Sequence, residues 1–179
     1  MMRMGKKIHA LMQLLAAAVL CFCLSGCILQ SKEPLFTDEQ AELALKDYGN
    51  RFASYSRDGG IWKKDAETIS FTAINKHYTA SDGKTDFIVT FVPIGASWWA
   101  MQGQEAGKPP NYYLADAREE EVLFYPLACK ELRNAGIFGD FIDFKDDDCF
   151  IKDGVDAIAM FKSFTAAPPP VGMKLVPLP

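Results

Sequence analysis

The chain has 179 residues, with 19 basic and 23 acidic side chains, a formal net charge of −4 and 49% hydrophobic residues. That length supports one domain with a sizeable core and excludes a large multidomain assembly within the chain. The acidic balance is a poor match for the phosphates of nucleic acid or of anionic lipid headgroups, so no nucleic-acid partner is expected.

Arg3, Lys6 and Lys7 open the chain, no acid occurs before Glu33, and residues 11–24 are apolar apart from Gln13. A bilayer-spanning helix needs about 20 apolar residues. This run is shorter and ends at a small-residue site, as the apolar region of a secretory signal does. It closes on Leu24, Ser25, Gly26 and Cys27. Leucine, a small residue, glycine or alanine, then cysteine resembles the lipobox of bacterial lipoproteins, and all four positions match. The resemblance implies that signal peptidase II cuts before Cys27, that the Cys27 thiol carries a diacylglycerol, and that its amine is a further acylation site. The membrane is then a partner through that lipid. Each buried methylene contributes about 0.8 kcal/mol and stable anchoring takes two membrane signals, which several chains on one cysteine supply.

Removing residues 1–26 takes away three basic residues and no acid, leaving seven more acidic than basic side chains. Cys21 and Cys23 leave with the signal and Cys27 is consumed by lipid. Cys129 and Cys149 remain, an even pair in a protein sent to an oxidising compartment, and a disulfide between them is expected. It would close a loop of about 20 residues and stabilise by about 3 kcal/mol, mainly by restricting the unfolded chain. Two thiols without a nearby histidine make a poor zinc site, and neither metal nor cofactor is expected.

Residues 27–34 read as a lipidated tether. Ile28 is not the aspartate associated with inner-membrane retention, so the resemblance implies the periplasmic face of the outer membrane. Thr37 and Gln40 have the spacing of a capping box, with Phe36 as its staple residue. Ala41, Leu45 and Tyr48 fall on one face, and the pattern predicts a helix over 38–48 stopped by Gly49. Ile69, Phe71 and Ala73 then alternate with polar residues, as in a half-buried strand. Asp82-Gly83 is the strongest hairpin signal found. Phe87, Val89 and Phe91 form one strand face with Ile88 and Val92 on the other, which suits a central strand.

Adjacent Trp98 and Trp99 point to opposite faces of a strand; Tyr112 and Tyr113 sit on the next segment, and 121–127 is a further strand. A short helix over 129–135 is stopped by Gly136, a brief strand follows at 149–152, and Asp153 caps a last helix carrying Val155, Ile158 and Phe161 on one side. Five prolines after Ala167 predict an extended tail. The fold expected is α+β: an antiparallel β-meander of about five to seven strands with a short N-terminal helix, a C-terminal helix and one disulfide. A β-sandwich or small barrel is the alternative. The domain spans 35–166 and the proline-rich tail 167–179. Phe87, Val89, Phe91, Val122, Phe124, Ile158 and Phe161 are expected in one core. The layout also resembles small Gram-negative lipoproteins with a late cysteine-bearing strand, an acidic cysteine-containing segment and a last helix; that resemblance implies no activity.

Chemistry is thinly signalled. His77 is the one histidine after the signal, and a nucleophile relay needs Ser or Cys and an acid converging on it. Ser70, Ser81 and Ser97 lie in ordinary strand or turn contexts, so a strand-edge histidine is expected. Asp140, Asp143, Asp146, Asp147 and Asp148 lack the central glycine and terminal glutamate of a calcium loop, and read as a solvated acidic stretch. Glu119 with Glu121 is a glycosidase pair only if a cleft separates them suitably. Trp98, Trp99, Tyr112 and Tyr113 form either an aromatic patch for glycan or protein contacts, or two-sided packing. The expected function is a non-catalytic, membrane-anchored envelope lipoprotein that binds or supports an envelope protein or glycan, and not an enzyme. The alternative is a tethered inhibitor of a secreted hydrolase, similar to lysozyme inhibitors.

Overall fold

Period-two alternation from Phe52 onward gives strands with an apolar face, and closing the sheet on itself buries those faces inside a barrel. A computed structural model describes residues 27–179 apart from Lys84 and Ile137; the signal-like segment and the first three lipobox positions lie outside the described residues. The strands are β1 (Arg51–Asp58), β2 (Ile61–Ile74), β3 (His77–Ser81), β4 (Asp86–Pro93), β5 (Trp98–Gln104), β6 (Asn111–Ala117) and β7 (Val122–Pro126). Then come α1 (Cys129–Ala135), the hairpin β8 (Ile142–Lys145) and β9 (Asp148–Ile151), α2 (Ala157–Ala166) and β10 (Met173–Pro177). Eight of these strands close in the order β1-β10-β7-β6-β5-β4-β3-β2, with every neighbour antiparallel. The barrel alternative is therefore the architecture, with one strand more than the meander expected. The segment from α1 to α2 is an insertion between β7 and β10.

Two cores replace the single one expected. Inside the barrel, Phe52, Phe71, Tyr78, Phe91 and Trp99, from five successive strands, stack edge to face. Their centroids lie 5.5, 5.9, 5.9 and 6.5 Å apart. Such pairs contribute about 0.5–1.5 kcal/mol each beyond area burial. Val89, Val122 and Phe124 share this interior, with Phe87 half-buried at its edge. An eight-stranded barrel is just wide enough for its side chains to fill, and these rings fill it. The second core lies outside the wall of β4–β7, where Val92, Ala100, Tyr112, Leu114 and Tyr125 meet Met160, Phe161 and Phe164 of α2. Phe161 thus belongs to a different core from Phe91, and Ile158 only flanks it. Trp98 and Trp99 do part to opposite faces, into the outer and inner cores respectively.

Three local expectations give way to tertiary contacts. The helix over 38–48 does not form. Its first turn does, with Thr37 N–H donating to Gln40 Oε1 at 3.1 Å and Gln40 N–H to the Thr37 carbonyl at 3.1 Å. Beyond it the barrel takes the amides: Glu42 N–H donates to the Phe91 carbonyl at 3.0 Å, and Leu45 N–H to the Tyr78 hydroxyl at 2.9 Å. A short helix is marginal without packing support, and here Leu45 enters the barrel mouth as a plug instead.

The last helix begins later than expected, capped by Asp156, which accepts from Ala159 N–H at 3.0 Å, and not by Asp153. The segment read as a tail is structural: β10 lies between β1 and β7 and closes the barrel, with proline only at its last position, where the missing donor costs least. Gly172 admits the chain, because a β-carbon there would lie 2.9 Å from the Pro126 ring.

Candidate functional site

The stretch read as a tether, 27–34, is built into the domain. The Cys27 carbonyl accepts from Cys129 N–H at 2.8 Å, Leu29 N–H donates to the Leu127 carbonyl at 2.8 Å, and Tyr112 N–H donates to the Leu29 carbonyl at 3.0 Å. On the other side Gln30 N–H donates to the Cys149 carbonyl at 3.1 Å and its carbonyl accepts from Ile151 N–H at 2.8 Å. This short extended piece is therefore wedged between the barrel wall and β9. The cause is Leu29, fully buried in the outer core. Burying a leucine stabilises by about 1.5–3 kcal/mol, enough to hold three residues that a free tether would leave in water.

Downstream, the Tyr112 hydroxyl joins Ser31 Oγ at 2.7 Å, accepts from Leu35 N–H at 3.2 Å and donates to Gln102 Oε1 at 3.2 Å. Burial pushes the Tyr112 hydroxyl up to about 12, which keeps it a neutral donor at any physiological pH.

The disulfide ties the two sides of this wedge. Cys129 and Cys149 are bonded, with α-carbons 5.3 Å apart and both side chains buried. It links the start of α1 to β9, and so holds the β8–β9 hairpin against the outer core. Cys27 is half-buried and is the free cysteine among the described residues. Its thiol is held above the ordinary range, first by a hydrogen bond to the Asp148 side chain, then by burial and by the charges of Asp148 and Asp147. A thiol so placed is a weak nucleophile.

The remaining candidates resolve separately. His77 is brought together with partners that the sequence did not connect: Nδ1 lies 2.9 Å from Thr90 Oγ1 and Nε2 lies 2.9 Å from Asp38 Oδ1. The order acid–imidazole–hydroxyl matches a relay, yet Thr90 is 2% exposed. The hydroxyl is closed to a substrate, and the three groups clasp the 35–48 segment to the β3–β4 wall. Among the described residues, no group of three or more His, Cys, Asp or Glu is placed to hold a metal ion. Instead, Asp143 lies 3.8 Å from Lys152 Nζ, and the Asp146 carbonyl accepts from Arg133. Glu121 pairs with Lys174 at 3.4 Å on the barrel surface, while Glu119 is exposed.

The aromatic patch is not a surface: Tyr112 is fully buried, and Trp99 faces the barrel interior. A recess of about 380 Å³ at the plugged mouth is lined by Leu43, Leu45, Lys46, Phe71, Ala73 and Tyr78, a shallow apolar site without convergent polar groups.

Asp58-Gly59-Gly60-Ile61 is a two-residue hairpin signal, and both glycines adopt positive φ, 57° and 86°. It turns β1 into β2. The chain finds no match among protein-family models, curated proteins or solved structures.

Proposed function

We propose that this protein is an envelope lipoprotein acylated at Cys27 and held on the periplasmic face of the outer membrane. Its role there is non-catalytic, to bind or support an envelope protein or glycan. The lipobox carries the reading. The fold supports it in one respect: Cys27 stays partly exposed although Leu29, two residues on, is fully buried. The inhibitor alternative needs a loop that enters an enzyme cleft. The projecting β1–β2 hairpin emerges at the end that carries Cys27, on the side of the bilayer and away from a soluble enzyme. The test is Cys27→Ser expressed in a bacterial host. A larger precursor, with loss of detergent partitioning and of labelled fatty acid, is expected. Normal processing of that variant would overturn the proposal.

A further inference from the structure

The absence of slack between Cys27 and the barrel has a geometric consequence. β1 and β7 run in the same direction, each antiparallel to β10 between them. Ser56 pairs with Met173 and Met173 with Phe124, two residues before β7 ends. β7 then delivers the chain to Ala128 and Cys129, where Ile28 bridges and the Cys27 carbonyl is bonded. β1 therefore leaves the barrel at the end where Cys27 sits.

Beyond Ser56 it has no partner but β2, and β2 pairs with β3 only from Ser70 onward. Arg57↔Trp62 and Asp58↔Ile61 thus form a two-stranded ribbon standing clear of the barrel. Ile61 at its tip is 69% exposed, more than any other large apolar side chain among the described residues that stand out from the surface. Behind it, the Arg57 guanidinium lies 5.9 Å and the Lys174 ammonium 5.3 Å from the Trp62 ring centre. Lys63 and Lys64 are exposed, and Asp58 is matched by Lys63 at 2.5 Å.

An apolar tip, an amphipathic indole and flanking cations are the composition of a segment that settles at the bilayer interface. We infer that the tip of the β1–β2 hairpin, residues 57–64, is a second membrane contact seated among the phospholipid headgroups beside the acylated Cys27. This rests on the lipoprotein reading. Two contacts on one end, with no tether between the first and the fold, stand the barrel end-on. The β2–β3, β4–β5 and β6–β7 turns, with the plugged mouth, then face away from the bilayer. The occupant is a lipid surface because the hairpin shares its end with the lipid and carries an excess of positive charge, whereas the rest of the mature chain is acidic.

The test uses protein purified from envelopes and reconstituted into zwitterionic phospholipid vesicles with brominated acyl chains, with tryptophan fluorescence as the readout. Trp98 and Trp99 are partly buried and pack against the outer and inner cores, so only the share of quenching that disappears in Trp62→Phe reports the hairpin. The expected result is Trp62-dependent quenching, lost in Ile61→Asp while the thermal midpoint of that exposed-site variant is unchanged. Equal quenching of wild type and Trp62→Phe overturns the inference. The state of Cys27 is read separately by mass spectrometry. If its thiol is unmodified, the lipoprotein reading fails. Coupling that thiol to a maleimide-bearing lipid then places the domain on the vesicle and tests the hairpin by the same comparison.

Discussion

Removing the disulfide by Cys129→Ala with Cys149→Ala tests how the insertion is held. Alanine is the suitable replacement, since both side chains are buried, and a serine hydroxyl left there without a partner would add about 1–3 kcal/mol of its own. The bond closes a loop with a sequence separation of 20. The chain-entropy relation for that length gives about 3 kcal/mol lost through the freed unfolded state. For a domain of this size each kcal/mol moves the thermal midpoint by about 2–4 °C, so a fall of about 6–12 °C is expected.

The effect should also be local. Cys129 N–H holds the Cys27 carbonyl and the Cys149 carbonyl holds Gln30 N–H, so loosening this pair frees the wedged segment. Limited proteolysis should cut the variant within 28–34 while the barrel stays intact. Thermal unfolding followed by circular dichroism, without reductant, measures the first effect. A midpoint within about 2 °C of wild type, less than the relation assigns to 1 kcal/mol, would refute the reasoning. Two alkylatable thiols at these positions in the non-reduced protein would do so too.

Phe91 is fully buried between Tyr78 and Trp99, and Phe91→Ala should cost about 3–5 kcal/mol in urea unfolding by opening a cavity in the barrel. A loss under about 1 kcal/mol would mean that the lumen is not close-packed. Alkaline titration offers an independent check. Burial raises Tyr112 and Tyr113 from 10.0 to about 12. A group whose folded value is raised contributes stability that is complete below its unfolded value. That contribution is lost as pH climbs through the folded one, so the urea midpoint should hold to pH 10 and fall between 10 and 12. Tyr112→Phe should remove a part of that fall worth roughly 3 kcal/mol; an unchanged slope in the variant would show that Tyr112 is not the titrating group.

Features that depend on neighbours along the chain were legible in the order of residues. Alternation placed Phe87, Val89 and Phe91 on one face of a strand, because side chains in a strand point alternately to its two faces; on the other face Val92 is buried but Ile88 is 57% exposed, so the covering expected on both sides holds only at the Val92 end. Gly136 ended α1 as expected, adopting φ 69° where other residues are strained. The pairing of Cys129 with Cys149 was expected from counting thiols, on the reading that Cys21 and Cys23 belong to a signal and Cys27 to a lipobox, and the two are bonded.

The remaining features arose from competition between groups distant along the chain. The 38–48 pattern was a sound local helix, and the Phe91 carbonyl and Tyr78 hydroxyl took its amides. The apolar pattern of strands and last helix did not say whether they shared one core. Closure of the barrel separated them, because a wall apolar on both sides must face two interiors. The prolines at 168–170 and 177 signalled an extended chain, and only the vacant edge between β1 and β7 made that extension a strand. Likewise Leu29 read as one residue of a tether until Leu127 and Tyr112 offered its backbone a place. An unpaired strand edge and an uncovered apolar wall exist only after the rest of the chain has folded, so no local pattern could announce what would fill them.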